Sequence, residues 1–409
     1  MEKHQSRKLK DLYTQMEKTN VVLPNFQRGY VWNVEQQLKL IASMIVKIPI
    51  GSTLHLKSNS DSYAARALCE RARVIPSKAQ ADCEFVLDGQ QRLSTLKNAF
   101  YNVYSSDARQ WETVFDNLFS SLKIRWFLDF SMEENPLGFN NLHFDKELIE
   151  TAEPRLIQPY LKYKKIFKKD KGLWFHPAFR PTDSNGADIV GANQKKLTIA
   201  KEMANAGLVP LYEIYLGSSG IHCDVLRLLA KIKLEELNAK IKDFREQEHV
   251  KEYAEFLIAI FHPIESEIED LLKSSRDEDN EYYRFLEEEE EKKLLDQLQE
   301  TWLSEVTTYL NALIDIEIPI IALDQKEAAR ASAIFEEINK QGTELSIFDL
   351  VVAKVANTEN TEDSLTDKIL KLLVNDKIAL NEEELNDKDK KWLPLNMVSS
   401  KDSASLSKT

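Results

Sequence analysis

Apolar residues early in the chain recur at helical spacing. Val34, Leu38, Ile41, Ile45 and Ile48 step by fours and threes, with Asn33 placed to cap the start and Pro49 to close the end. Short apolar runs around this helix, at 21–23, 54–56 and 85–87, read as strands, and 122–130 alternates enough to be another. A polar helix is expected over about 8–19, and a loop or short helix over about 58–82. The block up to residue 130 is therefore expected to be α/β. From 131 to about 220 several prolines and glycines interrupt the pattern, which predicts helices with long connections. Residues 223–313 predict almost continuous helix: Leu295, Leu298, Trp302, Val306, Leu310 and Leu313 form one stripe, and the acidic run 287–291 faces water. Strand character returns at 316–321, where Pro319 suits an edge strand. A helix is expected from about 325 to 341, stopped by Gly342, and Ser346 with Asp349 reads as a capping box for the next. The chain is thus expected to come back to its first block after a helical insertion. Past about 357 the composition is polar, and the last residues read as disordered.

At 409 residues, two or three domains are expected, and 43% hydrophobic with 30% charged residues is a globular profile. The basic, polar first ten residues hold no apolar stretch, so no signal peptide is expected. No apolar run is long enough to span a bilayer. Cys69, Cys83 and Cys223 lie apart, as reduced thiols would, and the expected location is the cytoplasm. A net charge of −13 opposes nucleic-acid binding by the whole surface but leaves room for a local basic site.

The densest candidate chemistry lies at 86–92, Val-Leu-Asp-Gly-Gln-Gln-Arg. A strand runs through a glycine turn into a helix carrying Leu93, Leu96, Phe100 and Val103, which puts Asp88, Gly89, Gln90, Gln91 and Arg92 at a helix N-terminus. Free N–H groups and the positive end of the helix dipole favour an anion there. Gly89 permits close backbone approach, Arg92 offers a planar fork for phosphate, and Asp88 can hold a cation. The plain alternative is a turn in which Asp88 caps the helix. The segment Gln27-Arg28-Gly29-Tyr30-Val31-Trp32 offers an arginine for phosphate and aromatics that could stack on a base. It could equally be a rigid loop whose aromatics plug the core. Asn339 falls in the last turn of its expected helix, where its amide could reach a ligand. Residues 160–174 interleave Lys162, Lys164, Lys165, Lys168 and Lys169 with aromatics, which suits a nucleic-acid backbone or, more plainly, a helix with a solvated lysine face. The histidines, His55 among them, are isolated, and no zinc, nucleophile-elbow or Walker-type motif is present.

Three segments occur in an order that resembles the N-terminal domain of GmrSD-type restriction enzymes: Pro24-x-Phe-Gln-Arg-x-Tyr-Val-Trp32, Leu87-Asp-Gly-Gln-Gln-Arg-Leu93, and Ile334-Phe-x-x-Ile-Asn-x-x-Gly-x-x-Leu-Ser-x-Phe-Asp-Leu350. The resemblance implies an α+β fold: a ParB/sulfiredoxin-like nucleotide-binding core over 1–130 and 315–356, a mostly helical insertion over 131–314, and a polar tail over 357–409. It implies binding and hydrolysis of a nucleoside triphosphate with Mg2+ in bacterial defence against phage. In that mechanism Arg92 and Arg28 neutralise the phosphates and Asp88 is a direct or water-mediated magnesium ligand. Gln90 or Gln91 orients the attacking water, and Gln27, Gly89, Tyr30 and Asn339 line the nucleotide. The implied partners are DNA, modified phage DNA in particular, a separate nuclease or ATPase subunit, and a second copy of the chain. GmrSD-type enzymes usually carry a C-terminal His-Asn-His-like nuclease domain, and nothing after Asp349 resembles one. The readings left are a standalone NTPase subunit, a partner of a separate effector, or a truncated product. A competing expectation is a non-hydrolysing nucleotide- or DNA-binding regulatory module. A third is a nuclease acting through Asp88.

Overall fold

The computed structural model describes residues 3–326, apart from 25–26, 60–62, 64, 75–82, 105–109, 133–134, 190, 262–264, 274–282 and 325. Asn339 and the helices expected after 325 lie outside the described residues. The strands are β1 Lys3–Lys8, β2 Val21–Pro24, β3 Thr53–Ser58, β4 Ala65–Arg66, β5 Arg73–Val74, β6 Cys83–Asp88, β7 Ile124–Asp129, β8 Leu161–Lys165, β9 Leu208–Pro210 and β10 Glu317–Leu323. The helices are α1 Leu9–Glu17, α2 Val34–Ile45, α3 Gln90–Phe100, α4 Trp111–Asn117, α5 Lys146–Thr151, α6 Pro154–Ile157, α7 Ala192–Asn205, α8 Ile221–Glu246, α9 Val250–Ile260, α10 Glu265–Leu272 and α11 Glu288–Ala312.

Seven strands form a mixed sheet in the order β1-β10-β3-β6-β2-β4-β5, and β8-β7-β9 form a separate antiparallel sheet. At the centre of the larger sheet β6 runs antiparallel to β3 and parallel to β2. A central strand covered on both faces needs an apolar run, and Phe85, Val86 and Leu87 supply it. Phe85 and Leu87 pack with Val22, Leu54 and Leu56 on one face. Val86 faces the other, where α1, α2 and α3 contribute Leu12, Ile41, Leu93 and Leu96 to the main core. Asn33 and Gln36 close a reciprocal capping box at the start of α2. The same core continues into the helical region: the Trp302 indole N–H donates to Leu137 O at 2.8 Å, and the Tyr309 hydroxyl donates to Ile45 O at 2.6 Å.

Several local expectations are corrected. Pro319 is not on an edge, because β10 lies between β1 and β3. The parallel register with β3 begins only at Ile320, one residue past the proline, so the missing N–H falls outside that ladder. The lysine-rich segment is a strand, β8, and not a helix. Residues 122–130 do form a strand, but β7 pairs with β8 and β9 and stays outside the larger sheet. Part of 58–82 is strand as well, β4 and β5. The polar N-terminus forms β1, paired antiparallel with β10. Among the described residues no helix is long and apolar enough to cross a membrane.

Candidate functional site: the corner between β6 and α3

Buried β6 ends at Asp88, and Gly89 turns the chain with φ +97° into α3. No other residue fits well: the left-handed φ disfavours a side chain, and a Cβ would lie 2.5 Å from Thr53 Cγ2. The first helix bond runs from Leu93 N–H to Gly89 O at 2.9 Å. The N–H groups of 90–92 therefore have no acceptor within α3, and among the described residues no side chain caps them. Asp88 is not the cap. It accepts instead from Arg92 Nη2 at 2.9 Å, while Arg92 Nη1 donates to Ile50 O at 2.8 Å. Gly51, with φ +84°, makes room for this arginine, since a Cβ there would sit 2.8 Å from Nη1. The Asp88 and Arg92 side chains keep 34% and 21% of their surface, so the pair borders solvent.

The glutamines face elsewhere. Gln91 Oε1 accepts from Val31 N–H at 2.9 Å and Trp32 N–H at 3.2 Å, and its Nε2 donates to Gly29 O at 3.2 Å. Gln90 Nε2 donates to Arg28 O at 3.0 Å. Gln27 Nε2 donates back to Val86 O and Leu87 O at 3.1 and 2.6 Å. Arg66 donates to Gln27 O and Arg28 O from the β4 side. The Thr95 hydroxyl donates to Gln91 O, so Tyr30 O–H is the donor in its 2.6 Å bond to Thr95 Oγ1. Residues 27–32 are thus sewn to β6 and α3 by side chains that bond backbone.

This changes the role of several candidates. Tyr30 is 5% exposed, with its ring near Phe119 and its hydroxyl spent on Thr95, so in this structure it plugs the core and does not stack on a base. Burial drives its pKa well up. Gln27 and Gln90, at 6% and 4% exposure, spend their amide nitrogens on backbone carbonyls. Gln91 has both amide atoms committed, so orienting a water would require it to release the 29–32 segment. Asp88, Arg92 and the uncapped N–H groups remain at the solvent border, and the Arg28 side chain is half-buried.

For a divalent cation, one carboxylate plus phosphate oxygens is an ordinary set for magnesium. Asp88 fits that pattern with one oxygen on Arg92, and among the described residues no cluster of three His, Cys, Asp or Glu side chains stands ready to hold a metal alone.

The basic segment lies apart, on β8 and the turn after it. Lys162 is 3.9 Å from Asp129, and Lys168 pairs with Asp116 at 2.7 Å. Lys164, Lys165 and Lys169 have no ion pair among the described residues, and Tyr163 and Phe167 are exposed beside them. Sequence reading missed His55, which is fully buried on β3 between Thr53 and Glu84. Its signal was the polar alternation Thr53, His55, Lys57 between Leu54 and Leu56.

A family model described as the GmrSD restriction endonuclease, N-terminal domain, matches residues 9–356. Over 108 residues the chain is 32% identical to a Methanocaldococcus jannaschii protein described only as uncharacterized, a match covering 25% of this chain. The chain spans 18% of that relative's length.

Proposed function

The chain belongs to the GmrSD restriction endonuclease N-terminal domain family, and from that premise we propose that it binds a nucleoside triphosphate at the corner between β6 and α3 and hydrolyses it in the service of restriction. The observation that carries the reading is the uncapped α3 N-terminus beside the solvent-bordering Asp88–Arg92 pair. Unsatisfied N–H groups, a helix dipole and a guanidinium lie together at this corner, which is what a polyphosphate requires.

In this reading Arg92 turns from Asp88 toward phosphate, and Arg28, whose backbone carbonyl accepts from Gln90 and Arg66, supplies a second cation. Asp88 would hold magnesium, which when bound screens the phosphate charge. Gln27, Gln90 and Gln91 act by fixing the 27–32 segment, so that the cations stand where charge develops during phosphoryl transfer. Asn339 is retained as a nucleotide contact on the family resemblance alone. The ParB/sulfiredoxin-like core with a helical insertion over 131–314, a separate nuclease chain as partner, and DNA contact through Lys164, Lys165 and Lys169 belong to the same proposal.

One observation favours a second reading, a regulatory module that binds nucleotide without hydrolysing it. Both amide atoms of Gln91 and the amide nitrogen of Gln90 are committed to backbone. Single-turnover phosphate release from ATP and GTP, with and without DNA, separates the two. Release that falls in both Arg92→Ala and Asp88→Asn supports the enzyme. Saturable binding without release over hours supports the module. Release unchanged in both variants overturns this site assignment.

A further inference from the structure

Beneath the Gly89 turn runs a row of polar side chains with no place in the function proposed above. Thr53 and His55 share one face of β3, and both are buried, at 1% and 0% exposure. His55 engages both ring nitrogens, with Nδ1 3.1 Å from Glu84 Oε2 and Nε2 3.2 Å from Thr53 Oγ1. Arg7 grips the same carboxylate with two donors, at 2.8 and 2.6 Å. Burial pushes the Glu84 carboxyl up, but the hydrogen bonds from His55 and Arg7 outweigh it and bring it down to about 2. The outer end of the row is therefore a fixed anion. It borders a cavity of about 500 Å³ lined also by Ser6, Lys8, Asp11 and Glu317. At the inner end Thr53 Cγ2 fills the space a Gly89 side chain would take, and the Thr53 hydroxyl also lies 3.5 Å from Pro319 O.

A leucine would fill the His55 position without the desolvation a buried imidazole and carboxylate must overcome. What the polar row adds is direction: a hydrogen bond on Oγ1 fixes the Thr53 rotamer, and that rotamer decides which surface meets Gly89. We propose that His55 is a positioning residue, which through Thr53 holds the Asp88–Gly89 turn and so aims the first N–H groups of α3. Only its functional consequence rests on reading that corner as the nucleotide site.

The test uses the full chain with His55→Leu, Thr53→Val and the double variant. Thr53→Val keeps the shape against Gly89 and removes only the hydroxyl, so it decides the question even if His55→Leu does not fold. The readouts are amide hydrogen exchange at Leu93, whose bond to Gly89 O closes the first turn, and affinity for ATP with Mg2+. We expect each single variant to speed exchange at Leu93 about tenfold, the loss of one buried hydrogen bond, with α8–α11 unchanged. The double variant should be no faster than the worse single one, because both act through one contact. ATP affinity should fall in parallel. Parental exchange at Leu93 in Thr53→Val, or additive effects in the double variant, would overturn the proposal. If the parent binds no nucleotide but the exchange pattern holds, the nucleotide reading fails and the positioning role stands.

Discussion

The corner between β6 and α3 and the helices α8–α11 are held together in opposite ways. In the helices, polar groups pair along their own exposed faces, as Lys231–Glu235, Lys242–Glu246 and Lys251–Glu255 do, while Leu229, Ile241, Trp302 and Leu310 face inward. The buried polar exceptions among the described residues are Glu291, which accepts from Tyr253 O–H and Arg245 at 2.6 and 2.8 Å, and His222, whose Nε2 lies 2.8 Å from Asn311 Oδ1. At the corner, Gln27, Gln90, Gln91, Arg66 and Arg92 each bond the backbone of a segment distant in sequence. Apolar packing tolerates small shifts, whereas side chain to backbone bonds fix direction. A region that must aim N–H groups needs the second kind of construction.

The largest effect should come from the helical side. Trp302→Ala removes a fully buried indole between Phe130 and Phe139 and is expected to cost about 4 kcal/mol in urea unfolding. Near-parental stability would break the contrast by showing that α11 is not anchored through its stripe.

Acid should act first at the corner. The Glu84 carboxyl is lowered from 4.5 to about 2, so its contribution is complete above about pH 4.5 and disappears as the pH falls toward 2. A shift of that size corresponds to about 3 kcal/mol. Hydrogen exchange at pH 3 should show residues around β3 and β6 opening while α8–α11 stay protected, and Glu84→Gln should flatten that pH dependence.

Gln91→Ala leaves the Val31 and Trp32 N–H groups and Gly29 O without their partner and is expected to cost about 2 kcal/mol. Limited proteolysis should then cut within 28–32, with α8–α11 still intact. Smallest of all, Lys251→Ala removes an exposed helical pair and should leave the unfolding midpoint where it was.

The same contrast explains what could be read from sequence. The stripe of α11, the capped start of α2 and the strand, glycine and helix at 85–100 all follow from local periodicity or one residue's φ requirement. β1 was invisible because Lys-His-Gln-Ser-Arg-Lys has no apolar alternation and is a strand only through its pairing with β10. The lysines of β8 satisfy helical and strand spacings equally, and contact with β7 decides between them. At the site, the positions of Asp88, Gly89 and Arg92 around the turn were legible. The duties of Gln27, Gln90, Gln91 and Tyr30 were not, because an amide or phenol does not announce whether it serves a ligand or a distant carbonyl. His55 looked isolated because Glu84 becomes its neighbour only when β3 pairs with β6, and Thr53 only once 53–55 is extended as strand.

The most direct test of the central claim is a titration of the full chain with each of ATP, GTP, CTP and UTP in the presence of Mg2+, following the amide resonances of Gln90, Gln91 and Arg92. At least one nucleotide is expected to saturate and shift all three, and Arg92→Ala to weaken it about tenfold or more. Four flat titrations, or an affinity indifferent to Arg92→Ala, would contradict the claim.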